Sequence, residues 1–315
     1  MGANGMLFEF VDFANTRLAA ALAGFGLPSG IFWLYFSGSI LLVVGLVKIL
    51  KDELPQTHGL DKIMPFGRLF LTIPLAVFGT EHFTNAADIA NIVPRWFPAH
   101  VFWVYLVGIA LIAAALSITV QIQSPLAATL LGAMFFSFVL LIDMPGIMAH
   151  PSNRFFWALG LREMTFSGGA LAYAGSHGSS GRTRGVPGLV TVGRFFVAIP
   201  AVFFGVEHFL HPEFAPGVPL EKIIPTWVPG RLPWAYLAGT ALVAAGVALI
   251  VNQKARMAAT CLGMMILLLV LFVYPPILVA SPTDIVSLNY FADTLLFSGA
   301  VLVLADALRE RTAAG

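Results

Sequence analysis

"GRLFLTIPLAVFGTEHF" (Gly67–Phe83) and "GRFFVAIPAVFFGVEHF" (Gly193–Phe209) are one apolar segment written twice, each closing on a Glu-His pair and a phenylalanine. Between Gly67–Thr84 and Gly193–Leu210, ten of eighteen positions are identical at an offset of 126 residues. Downstream, "IVPRWFPAHVFWVYLVGIALIAAAL" from Ile92 matches "IIPTWVPGRLPWAYLAGTALVAAGV" from Ile223 at twelve of twenty-five positions. The offset is now 131, because the second loop is five residues longer, and "AATLLGAM" with "AATCLGMM" and "FSGG" with "FSGA" keep it. Each copy contains four apolar stretches. An even number of crossings returns the chain to its starting side, so the copies run in the same sense about an axis along the membrane normal.

The composition sets the class. Of 315 residues 58% are hydrophobic and only 10% charged, with a mean hydropathy of +0.88, far outside the range of soluble domains. A net charge of +1 without a basic cluster excludes nucleic acid as a partner. The lone Cys261 leaves no intrachain disulfide or paired-thiol chemistry. "MGANGMLFEF" has neither the positive region nor the cleavage site of a secretory leader, so the mature chain is expected to start there.

Stretches long enough to cross a bilayer, about 20 residues at 1.5 Å each, fall at 30–50, 68–86, 101–121, 125–148, 155–175, 193–212, 233–251, 257–279 and 289–308. The expectation is an all-α integral membrane protein of about nine spans: two four-helix bundles in parallel repeat plus one extra N-terminal helix. Residues 1–65 hold an amphipathic segment, with Leu7, Phe10, Val11, Ala14, Leu18, Ala21 and Leu22 at helical spacing, and the extra span. That segment reads either as an interfacial helix or as one packed on the bundle edge. The first unit covers 66–176, a Gly/Ser/Arg-rich join 177–192, and the second unit 193–315. Eleven Lys/Arg side chains, Arg68 and Arg194 among them, gather on one side against six on the other. The richer side is expected to be cytoplasmic, with the N-terminus outside and the C-terminus inside.

The candidate site follows from depth. Glu81 lies thirteen residues beyond Arg68, or about 20 Å along a helix, against roughly 30 Å of hydrocarbon. Glu81, His82, Glu207 and His208 are therefore expected about 10 Å beneath the outer surface. Asp143, Arg162 and Glu163 approach the same level from neighbouring spans. A charge within a bilayer costs at least about 2.5 kcal/mol, so such residues pair or line a cavity. The loops "PRWFP" (Pro94–Pro98) and "PTWVP" (Pro225–Pro229) cannot continue as helix and are expected to lie over this level, with Trp96 and Trp227 contacting a bound ring. The same tryptophans also fit a plain interfacial aromatic belt.

Two readings of the Glu-His pairs stand side by side. In the structural one, Glu81 neutralises Arg162 and His82 caps carbonyls freed near Gly79. In the functional one, carboxyl and imidazole groups exchange the proton that accompanies electron transfer to a quinone. A metal held by His82, His208 and carboxylates of both copies is a weaker alternative, and no metal ligand is assigned.

Gly79-x-x-His82-Phe83, the Pro-x-Trp-x-Pro loop, a second helix with a central glycine ("LVGIALIAAAL"), a third ending near Pro145 or Pro276, and a short fourth helix together resemble the DoxX/DoxD-like membrane proteins. The resemblance spans residues 66–175 and 193–308 and leaves the first helix outside. It implies a four-helix bundle per copy. It also implies a subunit or anchor in the prokaryotic plasma (inner) membrane that passes electrons to quinone with a soluble or membrane oxidoreductase partner. A small-solute carrier and a non-catalytic escort of other membrane proteins are the alternatives.

Overall fold

The computed structural model describes residues 28–177, 186–213 and 230–313. The expected amphipathic N-terminal segment, most of the Gly/Ser/Arg join, and the Pro225–Pro229 loop with Trp227 lie outside them. The described residues form α1 (Ser29–Lys48), α2 (Met64–Thr84), a short α3 (Ala86–Ile89), α4 (His100–Val120), α5 (Ser124–Phe138) and α6 (Met144–Ala149). They continue with α7 (Arg154–Ser176), α8 (Pro187–Leu210), α9 (Arg231–Ile250), α10 (Ala255–Ala280) and α11 (Ile285–Ala313). A π-helical turn, Val139–Asp143, fuses α5 and α6 into one rod. Pro145 at the start of α6 cannot donate an amide to the Leu141 carbonyl, and the widened turn absorbs that mismatch.

Among the described residues, eight helices are long and apolar enough to cross a membrane. The ninth expected span is α7. It has 23 residues, enough for about 34 Å, but it carries Arg154, Arg162 and Glu163 and a run of small residues, Ser167 to Ala170. It tolerates this composition because it packs against α5, α8 and α11. Its counterpart α11 is the most enclosed of the apolar spans, 89% buried against 28% for the peripheral α1.

The two copies interlock. Within a copy the first helix packs on the second and the third on the fourth, but the first and fourth helices of one copy scarcely meet. The fourth helix instead closes on the first helix of the other copy: α7 on α8, and α11 on α2. Consecutive helices also meet within each copy, α4 on α5 and α9 on α10, so each copy keeps its run of four packed helices while its fourth helix is shared with the other copy. The short join makes α7 and α8 an antiparallel hairpin, and the pseudo-two-fold imposes the same contact on α11 and α2.

Small residues make these crossings possible. A Cβ added to Gly193 would lie 2.4 Å from the Gly168 carbonyl oxygen, and one on Gly299 would lie 2.3 Å from the Leu71 amide nitrogen. At the centre, α7 meets α11 where a Cβ on Gly169 would lie 2.4 Å from that of Ala300. Gly169 and Ala300 are equivalent positions 131 residues apart, so the dyad passes between them. Ser167 and Ser298 donate to the Gly132 and Gly263 carbonyls at 2.8 and 3.0 Å, the same bond in each copy.

Gly169→Ala is expected to cost about 1–3 kcal/mol by overpacking the dyad. Gly188→Ala, with nothing within 4 Å of the new methyl, is expected to stay within about 0.5 kcal/mol of wild type. Unfolding of the purified protein in mixed micelles measures both.

Candidate functional site

α2 and α8 carry the two Glu-His pairs at matching ends. Gly79 lets α4 approach so closely that an added Cβ would lie 2.9 Å from the Gly108 carbonyl oxygen, and Gly205 repeats this with Gly239. His82 Nδ1 lies 2.7 Å from the Phe78 carbonyl oxygen, and His208 Nδ1 lies 2.6 Å from that of Phe204. A carbonyl only accepts, so Nδ1 carries the proton in both rings and Nε2 is the remaining nitrogen of the neutral imidazole. The Cβ of each histidine packs on the glycine of the next helix, Gly108 or Gly239. His82 thus bonds a carbonyl beside Gly79, and His208 one beside Gly205.

The glutamates differ. Glu81 accepts a 3.0 Å hydrogen bond from Asn289 Nδ2 on α11, while Glu207, on α8, faces Arg154 at 3.8 Å and His211 at 3.9 Å. The expected Glu81–Arg162 pair does not form. Arg162 Nη1 instead donates to Asp293 Oδ2 at 2.6 Å across the α7–α11 seam. These two are also equivalent positions, 131 residues apart. Arg162→Asp293 and Gly169→Ala300 follow in the same order along the seam, as parallel helices require.

Behind Arg162 lie two more carboxyl groups. The π-helical turn ends on the buried Asp143, whose carboxyl group neighbours that of Glu163. Gly160 leaves room for it, since a Cβ there would lie 3.1 Å from that of Asp143. The second copy builds the same contact without acids, Thr294 Oγ1 donating to Tyr274 Oη at 3.0 Å. Asp143 and Glu163 are thus positional equivalents of Tyr274 and Thr294. One guanidinium now faces Asp293, Glu163 and Asp143, and Glu81 lies within the field of Asp293. Two neighbouring carboxyl groups either share a proton or repel. Asp143 Oδ2 and Glu163 Oε2 are buried without a hydrogen-bond partner.

A cleft of about 150 Å³ opens between the starts of α7 and α11. Phe155, Leu159 and Val286 give it apolar walls; Arg162, Asn289, Tyr290 and Asp293 supply its polar groups. The Asn289 Oδ1 atom is buried without a partner. Farther along, Phe166, Gly169, Phe297 and Ala300 close the seam.

Of the residues expected at the site, Arg162, Asp143, Glu163 and Glu81 gather around Asp293. Glu207 and His208 lie on α8, where Glu207 faces Arg154. Trp96 is 69% exposed, its ring tilted at 38° against that of Phe97 with centroids 4.2 Å apart. Among the described residues no group of three or more His, Cys, Asp or Glu side chains is placed to hold a metal ion. Asn289 and Tyr290 were not anticipated. The signal for Asp293 lay in the repeat: opposite charges at equivalent positions meet if those positions lie near the dyad.

Residues 71–144, from α2 to the end of the π-helical turn, match a family model described as "Domain of unknown function (DUF8561)". No curated protein and no solved structure matches the chain.

Arg162→Met or Asp293→Leu alone is expected to cost about 3–5 kcal/mol, because each strands a buried charge, whereas the double variant loses less than either. A double-mutant cycle on thermal unfolding in detergent checks this; strictly additive losses would contradict the pairing.

Proposed function

We propose that the chain is a DoxX-like, multi-pass protein of the prokaryotic plasma membrane, acting as a quinone-linked redox component or as the membrane anchor of an oxidoreductase. Its Glu-His end faces outward, the N-terminus outside and the C-terminus in the cytoplasm, in keeping with the Lys/Arg bias. The observation that carries this reading is the cleft between α7 and α11. It combines apolar walls with the donors Arg162, Asn289 and Tyr290, and it abuts the carboxyl cluster.

A quinone head group suits such a cleft. Its ring lies against Phe155 and Leu159, while a carbonyl oxygen accepts from Asn289 or Tyr290. Reduction to quinol takes two electrons and two protons. A reduced oxidoreductase partner gives up the two electrons, and both protons are taken from water, the Asp143–Glu163 pair relaying them to the ring while Arg162 offsets the carboxylate charge. The Glu-His pairs then act mainly through Glu81, which orients Asn289.

The carrier reading has less behind it, since the seam beyond Asp293 is filled by Phe166, Phe297 and Ala300. No particular feature favours an escort role.

Purified protein is expected to retain native quinone, detected by solvent extraction and mass spectrometry. Asn289→Leu should lower the retained amount about tenfold, the loss of one good hydrogen bond to a charged or polarised group. Absence of quinone in wild type, together with no binding of added decylubiquinone, would overturn the reading.

A further inference from the structure

The α7–α11 seam is polar at two levels, and the stretch between them is dry. Asp293 and Asp306 stand 13 residues apart on α11, about 20 Å along the helix. The first level holds the Arg162–Asp293 pair and the cleft beside it, which reaches the surface at the Glu-His end between the exposed side chains of Phe155 and Val286. The second is a separate cavity of about 250 Å³, lined by Glu53, Arg68, Tyr173 and Asp306, at the Lys/Arg-rich end.

Met164 to Ala172 of α7 and Thr294 to Ala305 of α11 contain no ionisable residue. Every residue from Leu295 to Ala305 is buried. Phe166, Phe297 and Ala300 share one apolar core with Leu75 of α2, Phe135 of α5, Phe204 of α8 and Ile266 of α10, the four helices packed around the seam. At the dyad a Cβ on Gly169 would lie 2.4 Å from the Ala300 Cβ, so the two helices touch there with no room for a water molecule between them.

The hydroxyl groups of this stretch do not bridge the gap. A proton relay needs each oxygen both to receive a proton and to pass one on. Ser167 and Ser298 donate instead to the Gly132 and Gly263 carbonyls, and Thr165 to that of Leu161 at 3.0 Å. A carbonyl accepts and has no proton to hand on, so each chain stops after one bond. Thr294 and Tyr274 do pair hydroxyl to hydroxyl, but beside Asp293, at the first level. The ionisable groups that face one another there are Glu81 on α2, Asp143, Arg162 and Glu163, Tyr274 on α10, and Tyr290 and Asp293 on α11.

We propose that the carboxyl cluster exchanges protons and water with the Glu-His face alone, the seam beyond Asp293 acting as a proton-tight plug. For quinone reduction, a consequence that rests on the function proposed above, both protons are then drawn from water at that face. The balance is quinone plus two electrons from the reduced oxidoreductase partner plus two protons from that water, giving quinol. It includes no proton passing through this chain from the Lys/Arg-rich face.

α1 begins at the Glu-His end, where Gly30 meets Thr84, and α11 finishes at the other. Full-length Cys261→Ser protein, tethered to an infrared surface by its C-terminus in a re-formed phosphatidylcholine bilayer, therefore shows its Glu-His face to the perfusing buffer, and an N-terminal tether shows the opposite face. After a pH step, the band of protonated carboxyl groups that Glu163→Gln removes is expected to change with the C-terminal tether and to stay constant with the N-terminal one. Asp143→Asn identifies the same band if Glu163→Gln does not fold. In the same background, a membrane-impermeant methanethiosulfonate is expected to label Asn289→Cys only from the face that labels the exposed Ser152→Cys, and Ser298→Cys from neither face, with Gln56→Cys marking the other side. Val286→Cys replaces Asn289→Cys should that variant not fold. A carboxyl response to the Lys/Arg-rich face or to neither face would overturn the proposal. So would labelling of Ser298→Cys, or of the cleft from any side but that of Ser152→Cys. Neither measurement uses quinone, so the sidedness and the quinone reading stand or fall separately.

Discussion

The Arg162–Asp293 ion pair sits on the pseudo-two-fold, and the arrangement of the rest depends on how a charge can exist there. At a dyad, equivalent residues face each other. In a symmetric pair of identical four-helix units this position would set arginine against arginine or aspartate against aspartate, in a setting where even a single charge is costly. Joining the two units in one chain removes that restriction, because the two positions then vary independently. The protein places Arg162 on one and Asp293 on the other, 2.6 Å apart. Charge at the membrane-buried seam, with the cleft and carboxyl cluster around it, is thus a property of the tandem chain and not of either unit.

The exchange of partners between copies has the same root. Glycine or alanine at each close crossing lets backbones approach, and contact in a lipid environment rests on such packing more than on apolar burial. Gly168 against Gly193 and Gly299 against Leu71 hold the fourth helix of each unit on the first helix of the other. A single unit lacks the partner for both ends of that contact, since its own first and fourth helices scarcely meet. The halves are mutually required, and the site at their seam inherits that rigidity.

Most of the architecture was legible because repetition and apolar length are one-dimensional signals. The matched segments from Gly67 and Gly193, and the return of "FSGG" as "FSGA", fixed the number of units and their common sense. Partner choice was not legible. Whether α7 closes on α2 or on α8 leaves no periodic trace, so the structural reading that pairs Glu81 with Arg162 does not anticipate Asn289 of the other copy as its neighbour. Trp96 shows a different limit: two prolines predict a break in helix, but the direction a loop side chain takes depends on neighbours such as Phe97. The polarity of α7 was visible in Arg162 and Glu163, and it signalled a helix enclosed by protein.

The repeat also separates scaffold from chemistry. His82 and His208 make the same bond to the carbonyl four residues back, and Phe83 stacks on Tyr105 as Phe209 does on Tyr236. A feature kept in both copies with the same partners is explained by the packing problem both copies share. Where the partners diverge, packing is no longer a sufficient cause: Asp143 and Glu163 stand where the other copy satisfies the contact with the neutral pair Tyr274 and Thr294. Both solutions fill the space, but only the acidic one brings ionisable groups to it. Persistence of that costlier solution beside Arg162 and the cleft is what gives the seam its functional reading, and it shifts the centre of the site from the repeated Glu-His pairs to the unrepeated acids.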